Sequence, residues 1–218
     1  MMNFLCRQLP WTAGLIVLAI ILLVTISPSQ ATDCGSLATS FDNRHKQVLQ
    51  QHARGTDSYF SELYKIEDEI FPAMKLCQSN VAIINAMGEL QLSLGQVPLA
   101  QLYGEKAVNL DNDDWNAHYL LGSALNLQKK YARGLEHLQL ATKLQPDNYS
   151  LRLNLCSSYE KNKKFQQAIS TCSEVIEKGP YDLRGTAYYL RALAHSGNNE
   201  PALAEKDNLL ANEFGFKP

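Results

Sequence analysis

Residues 115–148 read WNAHYLLGSALNLQKKYARGLEHLQLATKLQPDN. Leu120, Leu121, Ala124 and Leu125 recur at the spacing of one helix face. Leu135, Leu138, Ala141 and Leu144 make a second such face after a polar turn. Pro146 ends the second helix, because the residue before a proline resists the helical region. The stretch is therefore a helical hairpin with two apolar stripes. One hairpin cannot bury both, so it calls for neighbours of the same kind.

The neighbours are present. Sliding the chain by 34 residues superposes Gly88, Gly122 and Cys156, with Met87, Leu121 and Leu155 just before them. Val97, Tyr131 and Phe165 align, then Ala100, Gly134 and Ala168, then Ala107, Ala141 and Val175. Pro146 and Pro180 close two of the units. Three units follow without a gap: 81–114, 115–148 and 149–182.

LLGSAL…YARGLEHLQLATKLQP and NLCSSY…FQQAISTCSEVIEKGP resemble the tetratricopeptide repeat, a 34-residue helix–turn–helix unit. AYYLRALAHSGNNEPALAEKDNLL, residues 187–210, resembles a degenerate fourth unit within 183–218, with an inter-helix turn that reads about two residues short. The resemblance covers residues 81–212. It implies an all-α, right-handed superhelical solenoid of antiparallel hairpins.

Residues 32–80 fall outside the 34-residue register but still read as helical. Leu37, Phe41, Val48 and Leu49 mark one helix ending near Gly55. Thr56, Asp57 and Ser58 start another, running through Leu63, Ile66 and Ile70 to Pro72 or just beyond. This hairpin is expected to cover the open end of the stack, as solenoid ends require.

The first 31 residues are of another kind. Arg7 is their only charge, AGLIVLAIILLVTI follows at 13–26, and Ser29 and Ala31 are small residues at a cleavage-type spacing. This is the layout of a secretory signal peptide; an uncleaved signal anchor is the alternative. Both place the remaining chain outside the cytoplasm, periplasmic or exported, with membrane contact only through this segment if it is retained. Losing it changes the net charge from −2 to −3. With no basic excess, the surface gives no sign of nucleic-acid binding.

Export bears on the cysteines. Cys156 is eighth in its unit and Cys172 twenty-fourth, so an antiparallel hairpin that turns near positions 15–16 brings them face to face. Cys34 precedes the first N-terminal helix and Cys77 follows the second, so that hairpin brings them to one end. Cys6 leaves with the first segment, and the remaining even count of four in an exported chain favours two disulfides, with buried free thiols as the alternative. Zinc-type C-x2-4-C and redox-type C-x-x-C spacings are absent.

Nothing in the sequence carries catalysis. There is no phosphate loop, nucleophile elbow or H-E-x-x-H motif. His45 and His52 share a helix face but lack further metal ligands. His118 and His195 occupy positions that pack between helices, and His137 reads as solvated. IEDEI at 66–70 reads as a wet helix face, and DNDD at 111–114 as helix-capping residues. No enzyme, cofactor or metal is expected.

The family resemblance implies binding of a protein or peptide in a concave groove lined by first helices. The positions that match its groove-facing places are Asn85, Glu89, Asn116, Tyr119, Ser123, Asn126, Asn154, Ser157, Glu160 and Tyr189. A subtype of the family grips a C-terminal carboxylate with lysine, asparagine and arginine. Here Asn85 and Glu89 hold two of those places, and an acid replaces a base. The function expected is a protein-interaction module that serves assembly of an envelope or secretion complex. The alternative is a self-associating structural protein, a homo-oligomer formed through Leu209, Leu210, Phe214 and Phe216.

Overall fold

The computed structural model describes residues 33–216. Among them are ten α-helices and no strand. They run α1 Cys34–Gln51, α2 Asp57–Leu76, α3 Val81–Ser93, α4 Val97–Leu110 and α5 Trp115–Leu127. Then come α6 Tyr131–Leu144, α7 Tyr149–Lys161, α8 Phe165–Lys178, α9 Arg184–Gly197 and α10 Pro201–Glu213. A short 3₁₀ turn, Tyr181–Leu183, precedes α9. The segment read as a signal or anchor, with Cys6, lies outside the described residues. None of the described helices is long and apolar enough to cross a membrane.

The helices form two layers. Odd-numbered helices touch the next odd-numbered helix, from α1 to α9, and make an inner row. Each even-numbered helix packs on its own hairpin partner and, from α2 to α8, on the first helix of the next unit. The pair α1–α2 follows the same contacts, although its sequence lies outside the repeat register.

The repeat is visible in its punctuation. Asn80, Asp114 and Asn148 stand 34 residues apart and each caps the inner helix that follows. Their side chains accept from the backbone N–H groups of Ile83 at 3.0 Å, Ala117 at 2.6 Å and Leu151 at 3.2 Å. Each cap contributes about 1 kcal/mol. At the other end of every inner helix of the repeat region a left-handed residue turns the chain: Gly95, Lys129, Lys163 and Asn199. The last turn, residues 198–200, has the three residues of its counterparts, so the fourth unit is not short there. Its irregularity is the 3₁₀ turn before α9.

α2 differs from the sequence reading by continuing to Leu76 with Pro72 inside it. Ala73 beyond that proline is buried, which keeps the last turn on the core.

Large aliphatic side chains fill the N-terminal end. Leu63, Ile66, Ile70, Ile83, Met87 and Leu90 are all at most 1 % exposed. Burying each contributes about 1.5–3 kcal/mol. Further along, leucines such as Leu120, Leu125 and Leu138 still fill the core, but small residues set how closely the helices approach. α5 and α6 meet glycine to glycine: a Cβ on Gly122 would come 3.0 Å from the Gly134 carbonyl oxygen, and one on Gly134 equally close to that of Gly122. Around α8 the cluster is Cys156, Ala168, Cys172 and Ala194. Cys156 pairs with Cys172 and Cys34 with Cys77, with Cα atoms 5.6 and 6.0 Å apart.

The C-terminal hairpin is tied by charge. Arg191 donates twice to the Asp207 carboxylate, at 2.7 and 2.8 Å, and once to Ser173. His195 Nδ1 lies 2.6 Å from Glu200. The chain beyond α10 folds back onto α9. Phe214 sits against Tyr181 and Tyr188, and Phe216 stacks on Tyr189 with ring centroids 4.5 Å apart. Both phenylalanines read as self-association residues are thus engaged within the chain. Leu210 is partly buried, and only Leu209 of that set is exposed.

Candidate functional site

The inner row bounds three adjoining hollows, and all three include Glu89. One, of about 410 Å³, lies between α1, α2 and the inner helices; Tyr59, Phe60 and Tyr119 give it aromatic walls, and Arg54 stands at the α1–α2 turn. A second, of about 440 Å³, runs from Asp42 and Lys46 on α1 past Trp115, Asn116 and Tyr119 on α5 to Asn154 on α7. A smaller one, of about 220 Å³, lies between Asp42, Asn85, Asp114 and Trp115. Together they make a groove along the first four inner helices.

Glu89 is held in place from α5. The Asn116 amide donates to its carboxylate at 2.7 Å. Burial pushes the Glu89 carboxyl above its ordinary range, and the Asp42 and Asp114 carboxylates push the same way. The Asn116 hydrogen bond and Lys46 act against them. Lys46 is itself engaged with Asp42 at 2.6 Å. Burial, and then Glu89, also raise the Tyr119 phenol.

The ten residues assigned to the groove by the family resemblance divide. Glu89, Asn116, Tyr119 and Asn154 line it together. Ser123 is one turn beyond Tyr119 and partly buried, as is Ser157. Asn85 is only 2 % exposed; it lies under the floor and donates to Asp114 at 2.8 Å. Asn126 is buried between α5 and α6, because Gly134 opposite leaves room for its amide. Glu160 lines a separate hollow with Tyr131, Phe165 and Leu193 near the inter-helix turns. Tyr189 is covered by Phe216.

The register also missed residues. Asp42, His45, Lys46 and Leu49 come from α1, which the 34-residue alignment does not reach. Their signal was present as an i, i+3, i+4, i+7 row on a helix read for its apolar side and for His45 as a metal ligand, not as a groove wall. Trp115 and Asn148 stand at unit boundaries, outside the groove-facing places of the repeat, and Asn148 also caps α7.

The histidines are structural in arrangement. His45 Nε2 lies 2.9 Å from Ser93 Oγ, and His52 Nδ1 2.9 Å from Ser58 Oγ, so the two do not share a site. His137, expected to be solvated, is partly buried with its Nδ1 2.9 Å from that of His118. His118 Nε2 lies 2.9 Å from the Asn112 carbonyl, which can only accept, so Nε2 donates to it. No group of three His, Cys, Asp or Glu side chains among the described residues is placed to hold a metal ion.

No protein-family model matches the sequence, and no curated protein matches it. Solved structures do. A crystal structure of MamA aligns with a TM-score of 0.60 at 23 % identity, covering 71 % of this chain and 89 % of that one. YrrB, described as a TPR protein with an unusual peptide-binding site, aligns at 0.60 and 17 % identity, covering 78 % and 92 %. The fold is that of a tetratricopeptide-repeat solenoid. MamA from Desulfovibrio magneticus RS-1, residue 41 to the end, agrees at 0.62 and 15 % identity, covering 81 % and 94 %.

Proposed function

We propose that this tetratricopeptide-type chain is a non-catalytic protein-interaction module that acts outside the cytoplasm and holds a peptide segment of a partner protein in its inner groove. The observation that carries the reading is the groove itself: Glu89, Asn116, Tyr119 and Asn154 from three successive inner helices face one continuous hollow. Amides and a tyrosine there offer hydrogen bonds and contact area at low entropic cost. YrrB has a peptide-binding site on the same fold, which supports the reading by analogy. The two cysteine pairs at bonding distance support an oxidising location. Within it, the role is assembly or support of an envelope or secretion complex.

Crosslinking in intact cells tests this. A photo-reactive residue replaces Tyr119 in the groove, with a control at Lys143 on α6. The expected result is a discrete adduct with another protein at position 119 only. Adducts at neither position, or only with a second copy, would overturn the reading.

A further inference from the structure

The inner groove has too many acceptors for the donors around it. Asp42, Glu89 and Asp114 surround the smallest of the three hollows; among the described residues Lys46, already engaged with Asp42, acts on Glu89, and Arg54 stands in the adjoining hollow that Glu89 and Tyr119 also line. Asp114 receives the Asn85 amide and the Ala117 N–H, whereas among the described residues the Glu89 carboxylate receives the Asn116 amide alone. Asn85 adds a further unmet acceptor: 2 % exposed, it lines the same hollow and its Oδ1 has no hydrogen-bond partner. A part-buried carboxylate with a single neutral donor gains from a further partner. An incoming cation would supply one.

The shape fits an organic cation. No three carboxylate or imidazole groups converge as metal ligands among the described residues. Instead, Trp115 and Tyr119 stand beside Glu89 in the larger hollow, where a flat, weakly hydrated cation gains from aromatic faces as well as from the carboxylate. Resting on the groove reading above, we infer that Glu89 is the recognition point for a basic side chain of the bound peptide, arginine ahead of lysine. The guanidinium would pair with the Glu89 carboxylate between the two aromatic rings, in a site that an acidic peptide end would avoid. Binding would weaken with salt, though less than for a surface pair, because the carboxylate is partly buried.

A phage-displayed library of random dodecapeptides, panned on the full chain, tests the inference. Selected peptides are first crosslinked through a photo-reactive group at Tyr119. Each is then measured by fluorescence anisotropy against the wild-type chain and Glu89→Gln, before and after its basic residues are replaced by glutamine. Thermal melting checks that Glu89→Gln is folded, and Glu136→Gln on α6 is the control. The expected result is an Arg or Lys in the selected peptides whose replacement lowers affinity at least tenfold, the same loss in Glu89→Gln, and no further loss when both changes are combined. Peptides that crosslink at position 119 but are indifferent to their basic residues or to Glu89 would overturn this inference and leave the groove reading standing. Failure of every selected peptide to crosslink at 119 would overturn both.

Discussion

The two ends of the solenoid solve the same packing problem with different chemistry. At the N-terminal end, α1, α2 and α3 bury large aliphatic side chains, and the Cys34–Cys77 pair lies at the margin of that core. At the C-terminal end the buried groups around α8 and α9 are mostly alanines and the Cys156–Cys172 pair, with Val175 and His195, supported by the Arg191–Asp207 contact. Where the core side chains are small, covalent and ionic links take over the work that apolar area does elsewhere. The difference extends to the inner face. It is open and polar beside α1, and covered by Phe216 beside α9.

The largest break in this contrast is expected from Asp207→Ala. It leaves Arg191 without its carboxylate beside a carboxylate site that is 4 % exposed, at a cost of about 3–5 kcal/mol. Chemical denaturation followed at Tyr188 and Tyr189 should show the C-terminal hairpin failing first. A loss spread evenly over all units would contradict the division. The cysteine pairs come next. Replacing both members of a pair by serine should cost about 4 kcal/mol for Cys34–Cys77 and about 3 kcal/mol for Cys156–Cys172, because the first closes the longer loop, 43 residues against 16. Urea midpoints for the two double variants give the order, and its reversal would show that the buried C-terminal pair does more than restrict the unfolded chain.

Acid should act next, and at both halves. Burial holds His45 and His137 below the ordinary imidazole value of 6.5. For His45, Lys46 and Arg54 add to this and Asp42 opposes it; for His137, His118 and Arg133 add and Glu136 and Glu105 oppose. As pH drops through 6.5 the unfolded chain takes up protons that the folded chain refuses. The stability these two groups allow is therefore complete above 6.5 and falls as pH drops toward their folded values. Denaturation midpoints between pH 7.5 and 5 should fall, and His45→Gln should flatten part of the slope. The smallest effect is a gain. Lys129 and Lys163 hold left-handed backbone at φ 61° and 58°, so glycine at either should stabilise by about 1 kcal/mol. A melting temperature unchanged in both variants would show that helix packing fixes these turns without strain.

Much of this was legible in the sequence. The 34-residue period placed every helix from α3 to α8 because the same small, apolar and capping residues recur at fixed offsets. The groove was legible only in part. Counting positions along a unit assumes that every unit presents the same face, and Asn85, Asn126 and Tyr189 show how neighbours change that. Asn85 is drawn under the floor by Asp114, Asn126 into the space left by Gly134, and Tyr189 beneath the returning chain. The wall contributed by α1 was invisible to the period because α1 is not part of it. His137 could not be read as buried, since its partner His118 comes from the other helix of the hairpin.

The Cys34–Cys77 link also has a mechanical meaning. Cys34 opens α1 and Cys77 closes α2. Were the chain held by the residues before Cys34, tension would pass through the sulfur pair to Cys77 and on to α3 without loading the loop between them, whose ends are 43 positions apart. α1, one wall of the groove, lies inside that loop. The wall keeps its shape under pull, and only when the link is reduced does the load reach it.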